Sequence, residues 1–168
     1  MAGEIVNRVA NSKLVNIDLE SFYPAEKRMS LDISQWLFEG LILREKEFRA
    51  SVDAHDWSQY DQSHVAVSCS SDAIIPSWAF LLISSKLSDH ALSSVVGDMS
   101  LLDNLLFKDI IDSMDLDPYR DRPVIIKGCS EKPIPDNAFN LLIQRLKPVV
   151  KSLMYGEACS NVPLYKKK

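Results

Sequence analysis

Three cysteines stand in the same local context. Cys69, Cys129 and Cys159 are each followed by serine, and each comes where a hydrophobic, strand-like run ends, in VAVSCS, VIIKGCS and LMYGEACS. Cysteine thiolates are ligands for zinc and for iron–sulfur clusters. Three thiols at the ends of three strands would meet if those strands shared one sheet edge. The pattern therefore favours a metal or iron–sulfur site with these three cysteines as ligands.

The rest of the ligand set depends on which metal is bound. An iron–sulfur cluster held by three thiolates could keep one iron open, whereas zinc would need a fourth group to complete a tetrahedron. Asp72 and His55 are the candidate fourth ligands, with Glu157 behind them. The chain contains no C-x-x-C pair, so the prediction depends on a fold that brings distant cysteines together.

Two alternative functions to metal binding are compatible with the same three cysteines. In the first, one activated cysteine attacks a substrate or carries sulfur, and His55 or Asp72 assists it. In the second, the protein is a non-enzymatic interaction module whose cysteines only pack, because free cysteine is among the most buried residue types. The sequence leaves all three functions open, together with the question of whether the protein is an enzyme.

Composition limits the class of protein. The chain has 168 residues, of which 46% are hydrophobic and 25% charged, and this predicts a single globular domain over residues 1–168. A net charge of -4 disfavours nucleic acid as the main partner, since affinity for phosphates needs clustered Lys and Arg. The one basic run, at residues 166–168, is interpreted as a solvated tail.

The chain also lacks the sequence signals of secretion and membrane insertion. Its first residues, MAGEIVNRVANSK, contain no apolar signal core, and no later stretch approaches the ~20 apolar residues of a membrane span. We therefore expect a cytoplasmic protein without a membrane partner. Three is an odd number of cysteines, and a reducing compartment would leave the thiols free for metal binding or catalysis. The oligomeric state does not follow from the sequence.

Strand and helix patterns alternate along the chain. A strand is expected at 27–33, a helix at 34–52, a polar aromatic loop in HDWSQY at 55–60 and a strand at 64–68. A helix at 76–89, a strand at 92–97 and a helix at 101–114 follow, and then a strand at 123–127, a helix at 135–147 and a strand at 149–155. Pro76 and Pro135 suit the first turn of their helices, where a missing N–H costs nothing.

Identical residues recur 59 positions apart. The pairs are Ile75/Ile134, Pro76/Pro135, Ala79/Ala138, Phe80/Phe139, Leu82/Leu141, Leu87/Leu146, Ser93/Ser152 and Gly97/Gly156. This predicts an internal duplication of a strand–helix–strand unit, at about 60–114 and 119–159, after an N-terminal strand–helix segment at 1–60. Cys69 and Cys129 are 60 apart, so one inserted residue brings them into register, whereas Cys159 has Ser100 as its counterpart.

These elements predict an α/β fold with a mainly parallel sheet and flanking helices. Right-handed crossovers return successive strands in the same direction, so all the carboxyl ends of the strands would lie at one edge. Ligands of open α/β sheets tend to bind at that edge. Cys69, Cys129 and Cys159 would then be gathered by topology.

Four segments carry a resemblance to a known family. GLILREKEFR, HDWSQY, VIIKGCSEKPIP and KSLMYGEACSNVPLYKKK resemble a Bacteroidetes family known as domain of unknown function 2480, and the similarity runs from Ile5 to the C-terminus. The resemblance implies a small cytoplasmic protein without an established activity or catalytic residues. It further implies genes near those for iron–sulfur assembly of the sulfur-mobilisation type. This favours iron–sulfur assembly proteins as partners and an accessory role in cluster or sulfur handling.

Overall fold

The computed structural model describes residues 14–128, 131–157 and 159–168. Its strands are β1 (Val15–Ile17), β2 (Lys27–Asp32), β3 (Ser63–Ser68), β4 (Ser93–Val96), β5 (Pro123–Ile126), β6 (Ser152–Glu157) and β7 (Ser160–Lys166). Its α-helices are α1 (Glu45–Ala54), α2 (Ser77–Leu87), α3 (Met99–Ser113) and α4 (Asp136–Leu146), with 3-10 helices at Leu19–Phe22, Ile33–Trp36, Trp57–Tyr60 and Asp117–Tyr119. No helix in these ranges is both long and apolar enough to cross a membrane.

The strands form two sheets. One has the order β2-β3-β4 and is wholly parallel; the other has the order β1-β5-β6-β7, in which only the β6–β7 pair is antiparallel. The chain correspondingly divides into two compact units. We call Ala25–Leu106 the central unit, for its place in the sequence, and Met1–Pro24 with Phe107–Lys168 the terminal unit. The predicted α/β class with mainly parallel strands is confirmed, but the strands are shared between two sheets.

Each unit has its own apolar core, and the helices bury one face by helical spacing. In α2 the buried residues are Ala79, Ile83 and Leu87, and in α4 they are Ala138, Leu142 and Leu146. Burying one Leu or Ile side chain contributes about 2 kcal/mol. The interior strands β3 and β5 carry continuous buried runs, Val65–Val67 and Val124–Ile126, as is usual for strands covered on both faces. The two buried clusters share no residue.

Several element boundaries differ from the predicted ones. The helix expected over 34–52 is a 3-10 turn and the later helix α1, because Glu39 and Gly40 adopt positive φ of 50° and 71° and make a tight turn between them. β6 begins and ends later than the strand expected at 149–155. β1 and β7 were not expected, and β7 takes in Lys166 from the predicted solvated tail.

The elements after each predicted repeat start follow the same order in the two units. A 3-10 helix, a strand, a helix and a strand run from Trp57 to Val96 and again from Asp117 to Glu157. The segment at 1–60 is divided between the units, because β1 pairs with β5 and β2 pairs with β3. The common order is a structural observation, and its origin in a duplication stays a prediction.

Candidate functional site

The central unit contains a solvent-open cavity of about 580 Å³ at the carboxyl ends of β3 and β4. Its lining residues come from β3, the loop that follows β3, α2, and the junction of β4 with α3. They are Val67, Ser68, Cys69, Ser71, Ala73, Ile75, Phe80, Val96, Gly97, Asp98 and Leu101. Because β3 and β4 are parallel, this is the edge at which open α/β sheets bind ligands.

Cys69 is the thiol of this cavity. It directly follows β3 and is half-buried, and its side chain also packs against the core of the central unit. Its Sγ lies 3.3 Å from Ser71 Oγ and 3.7 Å from the Ser71 carbonyl oxygen. The thiol is therefore held at the cavity wall by both apolar packing and polar contacts.

Asp32, at the end of β2, fixes the loop that follows Cys69. Its Oδ1 accepts the backbone N–H groups of Ser34 and Ser70, each at 3.0 Å, and its Oδ2 accepts the Ser70 hydroxyl at 2.5 Å. The Ser70 hydroxyl, ahead of the backbone donors, lowers the pKa of Asp32 to about 2 despite the opposing effect of burial. One ionised carboxylate thus ties β2 to the loop that carries the thiol.

The opposite wall is formed where β4 turns into α3. A Cβ on Gly97 would lie 2.5 Å from Leu101 Cδ2, so any other residue at this position would force the Leu101 side chain to turn away. Asp98 Oδ1 accepts the backbone N–H of Leu101 at 2.8 Å, which satisfies a free donor in the first turn of α3. Glycine and aspartate together allow the helix to begin beside the cavity.

Neither predicted fourth ligand lines the cavity. Asp72 is exposed, and His55 directly follows α1 in a group of aromatic rings. The His55 ring centroid lies 5.0 Å from that of Trp36 and 4.9 Å from that of Trp57, and its Nε2 lies 3.1 Å from the Tyr60 hydroxyl. Burial lowers the pKa of His55. The residue packs into the fold instead of facing Cys69.

The two cysteines that the structure describes, Cys69 and Cys159, follow strands of different sheets. Cys69 follows β3 in the central unit, whereas Cys159 is exposed in the turn between β6 and β7 of the terminal unit, and Cys129 lies outside the described residues. The topological reason for convergence is absent because β3 and β5 belong to different sheets. In the described parts of the chain, no three His, Cys, Asp or Glu side chains are grouped to hold a metal ion. The metal site stays a prediction without support from this geometry.

The strand register also revises which residue corresponds to Cys69. Val67 pairs with Val96, and 59 positions later Ile126 pairs with Tyr155. Two residues beyond these strand positions stand Cys69 in the central unit and Gly128 in the terminal unit. Cys129 comes one residue after the position that corresponds to Cys69.

A second cavity, of about 190 Å³, lies in the terminal unit. It is lined by Asn16, Asp18, Ile125, Lys127, Gly156 and Glu157. Its cation is already paired, because Lys127 Nζ lies 2.8 Å from Asp18 Oδ2 and 3.9 Å from Glu20 Oε2. The hydrogen bond between Lys127 and Asp18 lowers the pKa of Asp18 and raises the pKa of Lys127. The larger cavity at Cys69 is therefore the stronger candidate for a functional site.

Sequence reasoning missed most of the cavity wall. Phe80, Val96 and Asp98 were not among the predicted site residues, although Phe80 and Val96 lie on expected elements and Asp98 lies between two of them. The available signal was the rule that places ligand sites after parallel strands, applied to the residues after β4 as well as to those after β3. Of the four predicted ligands within the described ranges, Cys69, Cys159, Asp72 and His55, only Cys69 lines this cavity.

The comparisons with known proteins identify a family. Comparison with curated proteins gave no match, and comparison with solved structures gave none either. A family model described as "Protein of unknown function (DUF2480)" matches residues 3–167, which is nearly the whole chain. The chain therefore belongs to the DUF2480 family of proteins of unknown function.

Proposed function

We propose that this protein binds a small molecule in the Cys69 cavity and that the Cys69 thiol faces the bound ligand. The single observation that carries the proposal is the cavity of about 580 Å³ at the carboxyl ends of two parallel strands, with a half-buried thiol in its wall. Small-molecule sites are concave, mostly apolar and supplied with a few polar groups. The lining has this composition.

The wall of the Cys69 cavity has an apolar part and a polar part. Ile75, Phe80, Val96 and Leu101 supply apolar surface, while Ser68, Ser71, Cys69 and Asp98 supply polar atoms. An apolar ligand with one or two polar groups would satisfy both parts. Because Val96 and Leu101 are 49% and 41% exposed, such a ligand would also cover apolar surface that water now contacts.

A thiol facing a bound molecule is suited to nucleophilic attack or to carrying sulfur. Asp98 is the carboxylate of the cavity wall and replaces His55 and Asp72 as the candidate partner for that chemistry. Binding is the step that the cavity itself supports. The iron–sulfur and zinc hypotheses, including a role beside iron–sulfur assembly proteins, gain nothing from the arrangement of these residues.

Alkylation rates test the proposal inside one molecule. Cys69 and Cys159 are labelled with iodoacetamide and with N-cyclohexyl iodoacetamide, and the rate constant of each cysteine is measured by peptide mass spectrometry. Because an apolar reagent binds the cavity before it reacts, we expect the Cys69/Cys159 rate ratio to be about tenfold higher for the cyclohexyl reagent, the equivalent of about 1.4 kcal/mol. Equal ratios for the two reagents would refute the proposal.

A pair of matched variants controls for general reactivity. Val96→Phe narrows the cavity and should remove the preference of Cys69 for the apolar reagent. Val162→Phe makes the same change at an exposed position of β7 and should leave the preference intact. If both variants behave like the unmodified chain, the thiol reacts without a binding cavity.

A further inference from the structure

The two units can be compared position by position. Val67 of β3 pairs with Val96 of β4, and Ile126 of β5 pairs with Tyr155 of β6. The β3–β4 pair and the β5–β6 pair therefore have the same register at an offset of 59 residues. The following helices also bury residues at this offset, Ala79, Ile83 and Leu87 in one and Ala138, Leu142 and Leu146 in the other. The comparison needs only this geometry and no common ancestor.

In the terminal unit, the ring of a tyrosine on β6 occupies the space beyond the end of β5. The Tyr155 ring meets the Phe139 ring edge to face, with centroids 5.8 Å apart and planes at 88°. Its hydroxyl donates a hydrogen bond to the Gly128 carbonyl oxygen at 3.2 Å. A Cβ on Gly128 would lie 2.9 Å from the ring, so the absence of a side chain there makes room for the phenol.

The corresponding residues of the central unit surround the cavity. Val96 stands at the position of Tyr155, Phe80 at that of Phe139 and Cys69 at that of Gly128, and all three line the cavity. Valine at 96 is too short to cross to Phe80. The central unit thus has open space where the terminal unit has a phenol ring.

We propose that the Cys69 cavity binds a phenol, with its ring edge to face against Phe80 and its hydroxyl donating to the carbonyl oxygen of residue 69. This inference rests on the proposed function and names the chemical class of the ligand. Edge-to-face pairs are favoured over face-to-face stacking, and thiol sulfur makes favourable contacts with aromatic rings. Because Cys69 carries the Cβ that Gly128 lacks, the ring lies further from β3 than Tyr155 does from β5, in contact with the sulfur.

Protection of Cys69 from iodoacetamide tests the ligand class. The probes are p-cresol and 4-methylcyclohexanol, which are similar in size and each carry one hydroxyl, but only p-cresol is a phenol with an aromatic ring. We expect p-cresol to slow alkylation of Cys69 and not of Cys159, with a Kd on the order of millimolar for so small a molecule. 4-Methylcyclohexanol should bind about threefold to tenfold more weakly, the difference that one edge-to-face pair makes.

The alternative results separate this inference from the proposed function. Equal protection by p-cresol and 4-methylcyclohexanol would refute the phenol class while leaving an apolar cavity. No protection by p-cresol, together with a retained preference of Cys69 for the cyclohexyl reagent, would also refute the phenol class alone. Loss of that preference refutes both.

A designed plug provides a second test. Cys69→Gly combined with Val96→Tyr gives the central unit the residues of the terminal unit, so the new ring should fill the cavity and abolish p-cresol binding in calorimetry. Cys69→Gly alone is the matched control and should retain binding. Retained binding in the double variant overturns the inference. Should that variant fail to fold by circular dichroism, the protection experiment on the unmodified chain decides.

Discussion

Cys69 and Cys159 have the same chemistry and different surroundings. Cys69 is half-buried beside the Ser71 hydroxyl, and Cys159 is exposed in a turn. The rate at which a thiol reacts depends on reagent access and on the groups around it. The reaction rates of Cys69 and Cys159 therefore have to be compared with more than one reagent. With a single reagent, a difference in rate could come from access to the thiol or from binding of the reagent beside it.

His55 couples stability to pH through its burial. Desolvation lowers its pKa below the ordinary value of 6.5, so the neutral ring is favoured in the folded state. A base with a lowered folded pKa contributes stability that is present above the unfolded pKa of 6.5 and is lost as the pH falls below it. We expect the melting temperature to fall between pH 7 and pH 5 for this reason.

His55→Phe should remove this part of the pH dependence. Phenylalanine keeps the ring contacts with Trp36 and Trp57 and cannot be protonated, but it leaves the Tyr60 hydroxyl without its partner at 3.1 Å. The expected cost at pH 7 is about 1 kcal/mol of unfolding free energy. Thermal unfolding followed at several pH values checks both effects. If the melting temperature of the variant falls between pH 7 and pH 5 as steeply as that of the unmodified chain, His55 is not the cause of the pH dependence.

One carboxylate of the central unit connects two loops at the carboxyl ends of neighbouring strands. Asp32 binds donors in the turn after β2 and in the loop after β3, so it positions the strand end that carries Cys69. Its folded pKa of about 2 lies below the ordinary 3.8, and its stabilising effect is therefore present above pH 4 and lost as the pH falls toward 2. At neutral pH the carboxylate is fully ionised and its acceptors are occupied.

Asp32→Asn should weaken this connection. We expect a loss of about 1–2 kcal/mol at pH 7, since the amide can accept fewer hydrogen bonds and carries no charge. The variant should also lose less stability than the unmodified chain between pH 4 and pH 2. Urea unfolding along this pH range measures both, and Asp72→Asn, at an exposed carboxylate in the same loop, is the control that should change little.

The β6–β7 hairpin depends on the absence of a side chain at Gly156. Its φ is 125°, and a Cβ there would lie 2.6 Å from the backbone oxygen of Ser160. Gly156→Ala should cost about 2–3 kcal/mol, because it adds a clash with backbone to an unfavourable φ. Gly40→Ala shares the positive φ but meets nothing within 4 Å, and should cost only about 1 kcal/mol. Denaturant unfolding of the two variants measures both losses, and equal losses would contradict the explanation.

At the scale of the whole molecule, the residues that the structure describes form two apolar cores that share no buried residue. Ile83 belongs to the core of the central unit and Leu142 to that of the terminal unit, and both are inaccessible to solvent. The boundary between the units falls within α3, between Leu106 and Phe107. The single domain predicted over residues 1–168 stays a prediction at this scale.

Cavities made in each core test how far the units unfold separately. Ile83→Ala and Leu142→Ala should each cost about 2–5 kcal/mol by leaving a void. Hydrogen exchange should show the larger loss of protection in β2, β3 and α2 for the first variant, and in β5, β6 and α4 for the second. If each variant lowers protection equally throughout the described residues, the chain unfolds as one cooperative domain.

Local sequence pattern determined the class of the fold. The apolar runs of β3 and β5 and the helical spacing in α2 and α4 depend on interactions between near neighbours in the chain, and those elements were predicted close to their observed places. The single helix predicted over 34–52 was wrong. Its apolar spacing continues through Glu39 and Gly40, but both residues have positive φ values that interrupt a right-handed helix. The site was predicted only at Cys69, through the residues that follow a buried strand.

Tertiary structure decided which strands share a sheet. β1 pairs with β5 and not with β2, although more than a hundred residues separate Val15 from Val124, because pairing depends on how whole apolar faces are buried together. This choice placed Cys69 and Cys159 in different units and set Val96, Phe80 and Cys69 around one cavity. The sequence by itself determined the α/β class and the reactive residue types. Their grouping depended on strand pairing, since contacts between distant segments leave no local periodicity in a single chain.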